Sequence, residues 1–159
     1  MDKAFVSRAA DAAQFTTTPT DSIRFLCAGN DDMPDIEDER LSPGDGPPLH
    51  RHPWVTWSVV IEGTFLVRLG EEDVHLGPGD LAFTPPDMVH SFMCTGTQPG
   101  RLIHVNWPGG FHRLYAEMAP LDQTDGPPDF GAMAAAAARH GAEILGPPLI
   151  VLTAGEGQP

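Results

Sequence analysis

The sequence has little positive charge. Its 159 residues include nine lysines and arginines against 22 aspartates and glutamates, which gives a formal net charge of −13 at pH 7. An acidic surface of this kind repels a nucleic-acid backbone and anionic lipid headgroups, and it gains nothing from the release of their counterions. We therefore expect neither nucleic acid nor a membrane surface among the partners of this protein.

Long hydrophobic runs are absent and cysteines are few. No apolar stretch approaches the roughly 20 residues that cross a bilayer. The N-terminal segment 1–15 has no continuous apolar stretch followed by a cleavage site, so it does not resemble a signal peptide. We expect a cytoplasmic protein, in which Cys27 and Cys94 stay free thiols and do not form a disulfide.

Glycine and proline, by contrast, are abundant, with 17 residues of each. They recur between short apolar runs, which is typical of many strands joined by tight turns. The pattern predicts strands at 23–28, 54–61, 64–69, 74–76, 81–84, 91–94 and 102–107, and late helices at 111–118 and 130–140. We expect one all-β domain, a sandwich or barrel: residues 1–21 form an N-terminal segment, either an edge strand or loose, 22–108 the barrel, and 109–159 C-terminal helices and a tail.

Other segments carry weaker patterns. The acidic stretch from Asp31 to Glu39 predicts a solvated loop, with a metal-binding role as the less favoured alternative. Pro147-Pro148 and the residues after them predict an extended tail. The histidines of the predicted hairpin and late helices are expected to be exposed and without chemistry: His75, His112 and His140.

Three further histidines have a more informative spacing. His50 and His52 are two residues apart in an extended segment, so their side chains project from the same face, as two ligands of one metal must. His90 opens a later predicted strand. Taken alone, an H-x-H pair is more often a pair of surface or hydrogen-bonded histidines than a metal site.

The residues around these histidines resemble the paired motifs of the cupin superfamily. In the first stretch, five residues separate Gly44 from the H-x-H pair; in the second, five residues separate Gly79 from Pro85, and His90 follows. The resemblance covers about residues 40 to 108. It continues in residues 108–120 and 140–148, which look like the tails of small single-domain cupins similar to quercetin dioxygenase. It implies an all-β, double-stranded β-helix, the cupin or jelly-roll barrel, with short C-terminal helices.

The same resemblance implies a divalent metal held by His50, His52 and His90. The family adds a glutamate from the first motif, and Thr56 occupies its position here. Ferrous iron is the favoured ion, with zinc, manganese, nickel and copper as alternatives. A threonine hydroxyl is a poor ligand for such ions, so Thr56 is expected to hydrogen-bond a bound water or the substrate. The resemblance also implies that the family's glutamate can accept a substrate proton, so Thr56 is the candidate catalytic residue here. Thr56, or the anionic substrate itself, would have to take that role, and quercetinase-type cleavage is not expected to carry over directly.

Two side chains are candidates for a fourth ligand. Glu62 shares the strand parity of the histidines, but it lies six residues beyond Thr56, about 20 Å along a strand, and cannot reach. His104 in the last barrel strand is the other candidate. The more frequent case is a strand histidine that bonds to a neighbour or to water.

Three neutral imidazoles would leave the charge of a metal uncompensated and at least one coordination position open, which is typical of catalytic sites. An anionic chelator such as an enolate, catecholate or carboxylate would supply the missing charge and ligands. We expect an apolar, aromatic substrate pocket, with ordinary core packing as the alternative for its residues. Its expected members are Trp54, Met88, Phe92 and His104.

These expectations favour a metal-dependent dioxygenase or related oxidoreductase that acts on a small aromatic or enolisable compound. Two alternatives stay open. One is a non-oxidative cyclase, isomerase or decarboxylase of secondary metabolism that uses the metal as a Lewis acid, and the other is a small-molecule-binding barrel without turnover. Because small cupins commonly pair through sheet edges, we also expect a homodimer.

Overall fold

Two antiparallel sheets form a barrel in the computed structural model, which describes residues 4–16, 21–122 and 129–154. The elements in chain order are β1 (Ala13–Thr16), β2 (Ser22–Cys27), β3 (Asp35–Leu41), β4 (Pro48–Arg51), β5 (Val55–Glu62), β6 (Phe65–Leu69), β7 (Glu72–Leu76), β8 (Leu81–Thr84), β9 (His90–Cys94), β10 (Gly100–Trp107), α1 (His112–Asp122), α2 (Phe130–Arg139), β11 (Glu143–Pro148) and α3 (Leu149–Ala154). The strand orders are β1-β2-β3-β10-β5-β8 and β11-β4-β9-β6-β7. The predicted all-β, double-stranded β-helix with short C-terminal helices is confirmed.

The turn between β5 and β6 passes the chain from one sheet to the other and requires glycine. Gly63 has a φ of +79°, in the left-handed region that residues with a side chain rarely adopt. A Cβ at this position would also lie 2.8 Å from the Cα of Gly100. At this turn, glycine is therefore needed both for the backbone conformation and for the close packing against Gly100.

One end of the barrel interior is apolar. Its buried residues come from both sheets and include Phe65 and Cys94, neither of which has any exposed surface. Leu69, Leu76 and Phe92 pack against this cluster. The full set of its buried members is Leu41, Val60, Phe65, Val67, Ala82, Cys94 and Leu102. This packed end leaves the opposite end of the interior for polar side chains.

Only the first part of the acidic segment is the solvated loop that its charge predicted: Asp31 and Asp32 are exposed turn residues, and a strand begins inside the segment. Residues 35–41 form β3, which lies between β2 and β10 in the six-stranded sheet. Asp35 is completely buried, and Glu37 and Asp38 are 2% and 6% exposed. Each carboxylate has a partner supplied by a distant strand or loop; Arg101, for example, donates two hydrogen bonds to Asp38, at 2.7 and 3.0 Å. These hydrogen bonds offset the cost of removing the carboxylates from water. The acidic sequence alone does not show that such partners exist.

The C-terminal region also departs from the predicted extended tail. Residues 143–148 form β11, which pairs with β4 and places Ile144 opposite His50. The chain then continues as helix α3, whose first residue, Leu149, is completely buried. Residues 155–159 lie outside the described part of the chain.

At the other end of the chain, β1 pairs with β2 and is an edge strand, one of the two expectations for the N-terminal segment. Residues 1–3 and 17–20 are outside the described ranges. Cys27 and Cys94 are buried free thiols, as predicted. None of the helices in the described ranges has the length and hydrophobicity to cross a bilayer.

Candidate metal centre

Strands β4 and β9 bring the three motif histidines together. His50 and His90 are direct cross-strand partners, and His52 follows β4 by one residue. The ring centroid of His90 lies 4.2 Å from that of His50 and 4.6 Å from that of His52. One nitrogen from each ring can be chosen such that all three lie within 4.8 Å of one another. This is the spacing that ligands of a single ion require.

The tautomers of the three imidazoles also suit a metal. In each ring Nδ1 faces a backbone carbonyl oxygen: His50 faces Pro48 at 2.7 Å, His52 faces Trp54 at 3.0 Å, and His90 faces Met88 at 2.9 Å. A carbonyl only accepts, so Nδ1 carries the proton and Nε2 keeps its lone pair. The backbone thereby fixes three rings with Nε2 free to bind an ion.

Burial keeps these histidines neutral. Desolvation, followed by the proximity of His90, lowers the pKa of His50 to about 3, and the same two causes lower the pKa of His52 to about 3. Desolvation lowers the pKa of His90 as well. At neutral pH the folded protein thus presents three uncharged ligands, and protons compete weakly with a metal for them.

Trp54, which the sequence analysis expected in a substrate pocket, packs behind His52 and is not among the residues that line the cavity described below. Its ring stacks on His52, with centroids 4.2 Å apart and planes 4° apart. It is 8% exposed and packs in a second apolar cluster with Leu114 of α1 and Ala136 of α2. The C-terminal helices therefore hold a tryptophan that in turn holds a candidate ligand.

The histidines open onto a cavity of about 80 Å³ between the two sheets. Of the residues expected in a substrate pocket, Phe92 and His104 line this cavity, whereas the Met88 side chain does not; the Met88 carbonyl oxygen accepts from His90. The cavity is small beside ligand pockets of about 300–1,000 Å³. Its wall is also more polar than the sequence predicted. Residues from the six-stranded sheet provide this polar wall: Glu37, Glu39, Thr56, Ser58, Thr84, His104 and Asn106.

Thr56 occupies the wall as part of a hydrogen-bonded row. Its Oγ1 donates to Oδ1 of Asn106 at 2.5 Å, and Nδ2 of Asn106 donates to Oε1 of Glu37. Burial, together with the charges of Glu39 and Asp35, raises the pKa of Glu37 well above its ordinary value, although the Asn106 hydrogen bond opposes this. The hydroxyl proton of Thr56 is therefore committed to Asn106, and only its lone pairs are available to a ligand.

His104 belongs to a second row. Its Nε2 lies 3.0 Å from Oε2 of Glu39, and its Nδ1 lies 2.8 Å from Oγ of Ser58. Both ring nitrogens are thus occupied, which fits the expectation of a strand histidine bonded to neighbours and leaves none for a metal. Glu62 is exposed and faces Arg40 and Arg101, at 3.5 and 3.8 Å, so it is not a ligand either.

Among the remaining histidines, His112 is not the exposed residue that was expected. It is the first residue of α1, and its Nδ1 lies 2.9 Å from Oδ1 of the buried Asp35. His140 also has a partner, Glu117, at 2.8 Å, whereas His75 is exposed on β7 as predicted. None of the three lies in the cavity wall.

The sequence analysis missed several wall residues. Glu37 and Glu39 have the alternating spacing of one strand face, as do Thr56 and Ser58, so a period of two was the available signal. Phe111 and Tyr115, at the start of α1, also line the cavity. Their placement depends on how α1 packs against the barrel, and no local pattern carries that information.

Comparison with known proteins agrees with this architecture. Residues 38–106 match the Cupin_2 family, described as a cupin domain. Similar solved structures include KdgF from Halomonas sp. (15% identity, TM-score 0.59, 69% of this chain and 99% of that chain), an RmlC-like cupin from Shewanella frigidimarina (22%, 0.56, 65% and 90%) and the polyketide cyclase RemF from Streptomyces resistomycificus (22%, 0.51, 67% and 79%). At these identities the likeness shows the fold. No curated protein matches the sequence.

Proposed function

Because this chain is a small protein of the cupin superfamily, we propose that it is a metal-dependent enzyme and that His50, His52 and His90 hold its metal. The observation that carries the proposal is the convergence of three neutral imidazoles, each with Nδ1 tied to a carbonyl and Nε2 free. A divalent ion would supply positive charge and open coordination positions for an anionic ligand. Ferrous iron is the ion we propose.

The cavity favours a compact ligand with two kinds of polar group. The histidine side would receive an oxygen donor such as an enolate, a catecholate or a carboxylate. The opposite wall offers the acceptor atoms of Thr56 and Ser58, which suit hydroxyl groups on the ligand. With a volume of about 80 Å³, the cavity is suited to a one-ring or smaller compound. We propose Thr56 as a residue that touches this ligand.

A dioxygenase acting on a small aromatic or enolisable compound is our first candidate. The test is dioxygen uptake by the iron-loaded protein, prepared without air, with a set of catechols, 1,3-diketones and α-hydroxyketones. We expect uptake with at least one class, and we expect it to disappear in His50→Ala and in zinc-loaded protein. Iron-loaded protein that binds these compounds and consumes no dioxygen would contradict the candidate.

A non-oxidative cyclase, isomerase or decarboxylase is the second candidate. The polar wall favours it, since the paired carboxylate and imidazole of Glu39 and His104 are suited to proton transfer. Conversion of the same compounds by zinc-loaded protein under strict exclusion of air would select this candidate over the first. Recovery of an unchanged, tightly bound compound under both conditions would instead indicate a binding barrel.

We also propose that the protein is a homodimer that pairs through β8. This strand is an edge of the six-stranded sheet, and its outward residues Leu81 and Phe83 are 54% and 45% exposed. Exposed edges with apolar residues are unfavourable in a monomer. Sedimentation should therefore give twice the chain mass, and Phe83→Glu should shift it to the monomer. A monomeric wild-type protein at micromolar concentration would contradict the proposal.

A further inference from the structure

Two parallel rows of side chains cross the polar wall, each from β3 through β10 to β5. One row is Glu37, Asn106 and Thr56, and the other is Glu39, His104 and Ser58, displaced by two residues along each strand. Each row runs from a carboxyl group through a planar group to a hydroxyl, and all six residues line the cavity. The rows differ in the middle member, which is an amide in one and an imidazole in the other.

The proton positions in the second row follow from its chemistry. An ionised Glu39 only accepts hydrogen bonds, so Nε2 of His104 carries a proton toward it. In neutral His104 Nδ1 is then an acceptor, and the Ser58 hydroxyl donates to it at 2.8 Å. His104 is 4% exposed, so water does not compete for these positions. The Ser58 oxygen keeps its lone pairs for a ligand in the cavity.

We propose that Glu39, His104 and Ser58 form a proton relay that deprotonates the ligand bound at the metal centre, in place of the glutamate that Thr56 replaces. A ligand hydroxyl donates to Ser58 Oγ. The ligand O–H bond breaks and its proton forms a new O–H bond on Ser58, while the original Ser58 proton passes to Nδ1 of His104. The electron pair stays on the ligand oxygen, which becomes anionic, and Glu39 stabilises the imidazolium through Nε2–H. Nothing is oxidised or reduced. The relay rests on the proposed metal site, since a divalent ion held by the three histidines would supply the positive charge that stabilises the ligand anion.

The charges around His104 balance in the product of this step. Glu39 bonds to it from β3, and Glu37 is its cross-strand partner on the same strand. His90 lies near it on β9, where a charge on His104 opposes protonation of His90. The imidazolium would be paired with Glu39, and a metal held by the three histidines would supply positive charge for the ligand anion. The first row lacks this capacity, since the Asn106 amide neither takes up nor releases a proton near neutral pH.

The test follows the histidine ring nitrogens by ¹⁵N NMR in zinc-loaded protein, with catechol as the probe ligand. We expect catechol to convert His104 from a neutral ring to an imidazolium, a change that a purely structural histidine does not show. Ser58→Ala should abolish the change. His104→Gln identifies the signal, and we expect it to weaken catechol binding about 10- to 100-fold through loss of a charge-assisted hydrogen bond. His75→Gln, on the exposed β7, is the matched control and should leave both results unchanged.

The outcomes separate the relay from the metal site. Zinc and catechol binding with unaltered His104 nitrogen shifts would overturn the relay and leave the metal site intact. The relay would also be overturned if Ser58→Ala retained the imidazolium signal, because the proton would then reach His104 without the serine. A wild-type protein that binds no zinc would overturn the metal site and the relay together.

Discussion

Alanine in place of His90 is expected to lower the affinity of the protein for zinc or ferrous iron by more than about 100-fold. Changing a residue that merely orients a metal ligand typically costs about 10- to 100-fold, and this change removes a ligand itself. His90 is central to the cluster, since its ring lies closer to His50 and His52 than those rings lie to each other. Competition with a coloured chelator would measure the affinity of each variant.

Thermal stability gives a second measure of the metal affinity that His90→Ala should lose. A metal at 100 times its Kd stabilises the folded state by about 2.7 kcal/mol, so wild-type Tm should rise when the metal is added. His90→Ala should lose this rise while its metal-free Tm stays within a few degrees of the wild type. His75→Ala, which removes an exposed imidazole from β7, should keep the full metal response. Equal metal affinity in His90→Ala and wild type would rule out the proposed centre.

The parts of this protein that the sequence predicted are those with local signals. Short β-branched and aromatic runs separated by glycine and proline predicted the barrel strands, because such turns demand particular backbone angles. The two histidine motifs could be recognised because each combines a glycine turn with the histidines that follow it at a fixed spacing. Convergence of His50 and His90 requires only that β4 and β9 be neighbours, which the family fold implies.

The polar wall could not be predicted in this way, because burial of a carboxylate depends on its partner. Glu37 and Glu39 belong to a segment whose charge is typical of a hydrated loop, and their partners Asn106 and His104 are 69 and 65 residues away in the chain. The pairing of β11 with β4 could not be predicted either, because the two strands are far apart in the chain and no local sequence pattern links them. The position of Trp54 was equally hard to predict, because it packs against the C-terminal helices in the second apolar cluster and does not line the cavity.

Alanine in place of Asp35 is expected to destabilise the protein by about 3–5 kcal/mol, because it breaks a buried cluster of hydrogen bonds to one carboxylate. Asp35 accepts hydrogen bonds from the backbone N–H groups of Gly29, Gly110 and His112, at 2.6, 2.8 and 3.1 Å. It also holds the His112 ring at 2.9 Å. Removing the carboxylate would leave several donors unpaired, each costing about 1–3 kcal/mol when buried. Urea unfolding followed by circular dichroism would measure the loss.

The carboxylate matters to the site through the segment that it anchors. Gly110 and His112 flank Phe111, which lines the cavity and packs against Trp54, so Asp35→Ala should loosen that wall. Of the three candidate ligands, His52 is the one that stacks on Trp54, and the Trp54 carbonyl oxygen still holds its ring. Metal affinity measured under folding conditions should therefore stay within a few-fold of wild type, in contrast to His90→Ala. Asp31→Ala, at an exposed turn residue nearby, is the matched control and should change stability by less than about 0.5 kcal/mol. If Asp35→Ala were as stable as this control, the hydrogen bonds of the Asp35 carboxylate would not be what fixes the start of α1 to the barrel.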